Sequence, residues 1–202
     1  MTDPNAVLMA AIRARWGAQI AAACAGTAVP EAFLAGLVAN ETGGDASKTR
    51  FEALDFGQMC QVMIGKRAHF EALGAVDLVP PFLTLNEGLR LLGNYATSWG
   101  LTQIMGYQVL PFHKPLSILT DPGEHLKFAV VLLIQFANRW DLELAHADSG
   151  PASAAVVQDS LKKLFACWNC GQPFPEKTFD PAYCSNGLLR ASLYAGNAVT
   201  GD

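Results

Sequence analysis

Charge is scarce in this chain: Asp, Glu, Lys and Arg make up 16% of 202 residues, against 51% apolar ones. That excludes a disordered chain and requires a large buried fraction, at a length that suits one domain with its own core. The net charge of −4 gives no general attraction to nucleic acid or anionic lipid. No nucleic-acid partner is therefore expected, and affinity for an anionic polymer must come from a local groove. Membrane-spanning runs are missing as well. Even Phe128 to Ile134 is closed off by Lys127 and Gln135, far short of the ~20 apolar residues a span needs, so no membrane insertion is expected. Met1-Thr2-Asp3-Pro4-Asn5 lacks the basic start of a secretory signal. The expectation is synthesis in the cytoplasm, with action elsewhere only after release or export.

Cysteine is present but odd in number, five in all, which argues against a full disulfide framework. Cys167-x-x-Cys170 and Cys184 have no histidine near them in sequence, and three sulfurs fall short of the four ligands of structural zinc. Buried thiols and one Cys170–Cys184 disulfide both remain open. His69, His113, His125 and His146 form no ligand spacing. No metal, no cofactor and a monomeric chain are expected.

What is there is mostly helical periodicity. Pro4 opens a helix with Leu8, Ile12, Trp16 and Ile20 on its stripe; Pro30 opens a second with Phe33, Leu34, Leu37 and Val38, stopped by Thr42-Gly43-Gly44. Periodicity lapses from Asp45 to Asp55, where Thr49-Arg50-Phe51-Glu52 reads as a short strand or extended loop. Helix returns over 57–74 and over Asn86 to Tyr95, which runs into Thr97-Ser98-Trp99-Gly100. Asp121-Pro122-Gly123-Glu124 resembles a capping box. The helix behind it, Leu126 to Trp140, is apolar almost all round and predicts the buried centre of a bundle. Ser149-Gly150-Pro151 begins another, with Val157, Leu161, Leu164 and Trp168 as its stripe, and a last helix covers Ser185 to Tyr194. With no repeat and no linker, the chain reads as one domain.

Glu41 is the most informative residue. It follows Leu34 by seven, Leu37 by four and Val38 by three, which sets it on the apolar face of its helix. A carboxyl so placed is poorly solvated and its protonated form is favoured, as a general acid requires. The glycines after it allow close approach of substrate; alternatively, a glutamate at a helix end simply turns to solvent. Ser98-Trp99-Gly100-Leu101-Thr102-Gln103-Ile104-Met105 combines a turn glycine, hydroxyls and an amide able to bind a sugar amide, or forms an ordinary loop-to-helix junction. Trp168 and Tyr183 offer flat rings to sugars, and Asn169 a polar hold.

In order, Glu41-Thr42, Gly100-Leu101-Thr102-Gln103-Ile104-Met105, Trp168-Asn169-Cys170-Gly171-Gln172-Pro173 and Tyr183 resemble the four motifs of the soluble lytic transglycosylase and goose-type lysozyme superfamily. Those are a Glu-Ser, a Gly-Leu-Met-Gln-Ile, an Ala-Tyr-Asn-Ala-Gly-Pro and a later Tyr. Ser98 to Gly106 is also similar to the Ser-Trp-Gly-Leu-Phe-Gln-Ile-Met-Gly of phage and bacterial N-acetylmuramidases. The resemblance spans Pro30 to Tyr194.

It implies a mainly α (α+β) lysozyme-like fold in two lobes, with a small β or extended segment beside a cleft, and peptidoglycan glycan strands as substrate. Glu41 would protonate the glycosidic oxygen. Thr42, Ser98, Gly100, Leu101, Gln103 and Trp168 would belong to the saccharide groove, with Asn169 and Tyr183 holding Glu41 or the substrate. Thr42 departs from the motif serine but keeps its hydroxyl, and Cys167-Trp168 replaces Ala-Tyr. Between Glu41 and Ser98 lies a longer stretch than simple transglycosylases carry, holding Phe51-Glu52 and Asp55; the muramidases too have a Phe-Glu there. Glu52, with Asp55 in reserve, is the expected second carboxylate of a hydrolase. Without one, the sugar's own hydroxyl attacks and an anhydromuramyl product forms. A non-catalytic glycan-binding module is the remaining alternative.

Overall fold

A computed structural model describes residues 3–144 and 151–196, the side chains of 151–154 excepted. His146 and the Ser149-Gly150 start lie outside the described residues. The chain is mainly helical with a small three-stranded sheet, and it divides into two compact units, one formed by 1–44 with 123–202 and the other by 45–122. Among the described residues no helix is long and apolar enough to cross a membrane.

The first unit holds α1 (Pro4–Cys24), α2 (Glu31–Glu41), most of α6 (Pro122–Trp140), α7 (Pro151–Cys170) and α8 (Tyr183–Ala195). Asp3 caps α1 by accepting from the Asn5 N–H at 2.9 Å. Met9, Ile12, Trp16 and Ile20 turn inward, close to the periodic reading, although Leu8 is only half-buried. The helix enclosed on all sides is α2: every residue from Phe33 to Ala39 is buried. This corrects the expectation for α6. That helix begins as its proline predicts, but Lys127, Val131, Gln135 and Asn138 form an exposed stripe three to four residues apart, so it covers the core from one side.

Small residues let α2 serve as the centre. A Cβ on Gly36 would stand 2.7 Å from the Gly187 carbonyl of α8, and one on Gly187 would stand 2.6 Å from the Phe165 ring of α7. Phe165 in turn packs against Phe33 of α2 at 4.2 Å between ring centroids and edge-on to Tyr183 at 6.2 Å. The three helices therefore meet through two glycines and three aromatic rings.

The second unit holds α3 (Ala53–Met63), α4 (Ala75–Leu78), α5 (Leu85–Tyr95) and the antiparallel sheet of β1 (Thr49–Phe51), β2 (Thr97–Trp99) and β3 (Ile104–Met105). Arg50 pairs with Ser98, and Ser98 with Met105. Its core is Met59, Val62, Phe70, Leu73, Leu78, Leu92 and Tyr95. The helix expected over 57–74 begins earlier and stops at Met63. Gly65, at φ +72°, bonds back to the Val62 carbonyl and Lys66 to that of Gln61. This is the paired closure that ends a helix at a left-handed glycine. Thr84 and Glu87 cap α5 reciprocally.

Gly187→Ala should cost about 1–3 kcal/mol by forcing a methyl into the Phe165 ring. Gly36→Ala should cost at least as much, because the atom it meets is backbone. Urea unfolding midpoints with unchanged slopes check both.

Candidate active site

Glu41 is the last residue of α2, and the turn behind it is tightly fixed. Thr42 donates its N–H to the Val38 carbonyl at 3.1 Å, its hydroxyl donates to the same carbonyl at 3.3 Å, and its oxygen accepts from the Gly44 N–H. Gly43 and Gly44 follow at φ +64° and +90°, where a side chain would be strained. The indole N–H of Trp16 holds the Gly44 carbonyl at 2.9 Å. Thr42 is thus a helix terminator, its hydroxyl committed to backbone. Glu41 itself is half-buried.

Across from it, the Tyr183 hydroxyl donates to Glu41 Oε1. Tyr183 is 8% exposed. Burial first, then the charge of Glu41 and the hydrogen bond to it, hold this phenol well above its ordinary range, with the Asn40 amide opposing slightly. It therefore stays protonated, a fixed donor to the carboxylate. The structure brings these two predicted residues together over a separation of 142 positions.

Trp168 and Asn169 lie in the last turn of α7. The Asn169 carbonyl oxygen accepts from the Phe179 N–H at 3.0 Å and so ties down the loop that leads to Tyr183. Trp168 is half-buried, edge-on to Phe136 at 6.4 Å. Of the sulfurs beside them, burial pushes Cys167 up to about 12 and Cys184 to about 11, so both are thiols at neutral pH. All five cysteines are free, so the Cys170–Cys184 bridge is not formed. Among the described residues no group of three or more His, Cys, Asp or Glu could hold a metal ion.

In the second unit the expected groove residues turn inward. Leu101 has no exposed surface and Ser98 2%. The Gln103 amide donates to the carbonyls of Lys48 at 3.0 Å and Gly100 at 2.9 Å, while its oxygen accepts from the Ser98 hydroxyl at 2.9 Å. Gly100, at φ +66°, adds an N–H bond to Lys48 at 2.9 Å. The Gln103 amide, expected in the saccharide groove, is engaged by the turn's own backbone and by Ser98. Its polar atoms pin the β2–β3 turn to the strand before it, and a glutamine at φ +56° is held there by those bonds.

The two acidic candidates differ. Glu52 accepts from the Arg50 guanidinium at 2.5 Å, on the solvent side. Asp55, in the first turn of α3, has its carboxyl pushed up by burial and then by the negative charges of Glu52 and Glu71.

Sequence reasoning missed Asn40 and Arg190. Asn40 donates to the Tyr183 carbonyl at 2.9 Å and accepts from Arg190 at 2.6 Å. A signal existed: Arg190 is the single charged residue of α8, and Asn40 stands next to Glu41 in a helix otherwise apolar through its middle.

Gln103→Ala should destabilise the chain by about 1–3 kcal/mol, since it strips partners from buried polar groups; thermal melts decide. For Asp55 the folded carboxyl binds its proton more tightly than the unfolded one, whose ordinary value is 3.8. Its stabilising contribution is present below that value and is lost as pH rises through the raised folded one. Asp55→Asn should therefore raise the melting temperature at pH 7 and leave it nearly unchanged at pH 3.

Comparison of the chain with protein-family models, with curated proteins and with solved structures gives no match.

Proposed function

We propose that the chain cleaves peptidoglycan glycan strands at the N-acetylmuramic acid β-1,4 N-acetylglucosamine bond, with Glu41 as general acid. The observation that carries this reading is the setting of that carboxyl: half-buried at the end of an enclosed helix, with a protonated phenol fixed on one oxygen. The Tyr183 hydroxyl holds one oxygen of the carboxyl in place, and a carboxyl with a fixed orientation is what a directed proton transfer to a glycosidic oxygen needs. Pure binding of a neutral sugar gains nothing from a carboxyl kept in such surroundings. The motif order adds support, since it pairs Glu41 with Tyr183. On this reading the protein acts on the wall after release or export.

Hydrolysis requires a second carboxylate. Arg50 occupies one oxygen of Glu52, whereas burial, then the charges of Glu52 and Glu71, lift the affinity of Asp55 for a proton, the direction a general base needs. Asp55 thus moves ahead of Glu52. The commitment of Glu52 to Arg50 also favours a second reading, a lytic transglycosylase in which the sugar's hydroxyl is the nucleophile and Glu41 works alone.

Glu41→Gln keeps the shape and removes the proton. It should lower release of fragments from purified peptidoglycan at least about a hundredfold, with an unchanged circular dichroism spectrum. Retention of more than about a tenth of the activity would falsify the role of Glu41. Mass spectrometry of the wild-type products assigns the reaction: a water gained means hydrolase, none gained means transglycosylase, and no fragments means a binding module. If the product is hydrolytic, Asp55→Asn should abolish it while leaving the fold more stable.

A further inference from the structure

We propose that Asn40 and Arg190 are positioning residues for the acid: through the Asn40 amide, the Arg190 guanidinium fixes where the Tyr183 phenol meets Glu41. This rests on the glycan-cleaving reading above.

The connections are continuous. Arg190 Nε donates to Asn5 Oδ1 of α1 at 3.1 Å, and its Nη1 donates to Asn40 Oδ1 of α2 at 2.6 Å. Asn40 Nδ2 donates to the Tyr183 carbonyl of α8 at 2.9 Å, and the Tyr183 hydroxyl donates to Glu41. Both ends of the Asn40 amide are engaged, so it cannot flip without losing one partner. The planar fork of an arginine can reach two acceptors on two helices at once, which a lysine ammonium cannot do with the same geometry. Its bond to Asn40 is charge-assisted and correspondingly strong.

Close packing at Gly36 and Gly187 already sets the distance between α2 and α8, but apolar contact is non-directional and tolerates sliding and rotation. Asn40 removes that freedom at the residue beside Glu41. A slip of the helices would part the carboxylate from the phenol, and misplacement of a reacting group by about 1 Å costs of order a hundredfold in rate.

The test uses the full chain as Asn40→Leu, which leaves every charge in place, as Arg190→Lys, which keeps the charge but not the fork, and as the double variant. Two quantities are read: kcat and KM on soluble peptidoglycan fragments, and the titration midpoint of the Glu41 carboxyl by 13C nuclear magnetic resonance. In either single variant kcat should fall about tenfold to a hundredfold, with KM within about twofold. The Glu41 midpoint should rise, because its carboxylate has lost a donor. The double variant should be no worse than the poorer single, as expected for members of one chain of bonds.

A midpoint that stays at the wild-type value in both singles overturns the proposal whether or not the protein cleaves glycan. So does a raised midpoint with unchanged kcat, or fully additive losses. Should the wild type cleave nothing, the functional reading falls, and the midpoint alone still decides whether these residues place the carboxyl. If Asn40→Leu fails to fold, Arg190→Lys carries both readouts.

Discussion

The phenol of Tyr183 reaches the carboxylate of Glu41 only because α2 and α8 approach to backbone contact. Gly36 lies against the Gly187 carbonyl, and Gly187 against the Phe165 ring, at distances that exclude a single methyl. Everything distinctive about Glu41 follows from that crossing. It encloses α2, which keeps the end of the helix half-dry, and it brings the first residue of α8 beside the last of α2. It also sets Asn40 within reach of both Arg190 and the Tyr183 backbone. Close-packed interiors transmit displacement rather than absorb it, so the geometry at Glu41 and the packing at Gly36 are one constraint.

The second unit achieves rigidity by other means. Its β2–β3 turn is pinned by an amide that makes three hydrogen bonds, to Lys48, Gly100 and Ser98. That arrangement stiffens a short hairpin whose own ladder is only a few residues long. Among its acidic residues, Glu52 is paired with the Arg50 guanidinium, and Asp55 has its hold on a proton raised by burial first and then by the charges of Glu52 and Glu71.

The helices were legible where punctuation and periodicity agreed. Pro4, the Thr42-Gly43-Gly44 stop, and the stripes of α1 and α7 each name a boundary or a face. The 57–74 segment misleads because its apolar residues continue past Met63, while Gly65 with Lys66 closes the helix; the glycine was visible but its left-handed backbone was not. For α6, composition alone conceals that Lys127, Val131, Gln135 and Asn138 fall on one exposed line. In the site, periodicity sets Glu41 on an apolar face, yet α2 has no polar face, so that argument is weaker than the burial itself. Motif order implies a link between Glu41 and Tyr183 that no local pattern could give across 142 positions. For Gln103 the turn bonds were not legible, because a polar side chain in a turn reads alike whether its partners are ligand or backbone.

The central claim is that a glycan bond is presented to Glu41. It is tested most directly by solving the Glu41→Gln chain with a soluble peptidoglycan tetrasaccharide bound. The account predicts an uncleaved glycan with a glycosidic oxygen at hydrogen-bond distance, about 3 Å, from the residue 41 side chain, and the Tyr183 hydroxyl on the other side of that group. A tetrasaccharide seated where no glycosidic oxygen approaches residue 41, or no binding at saturating concentration, would contradict it.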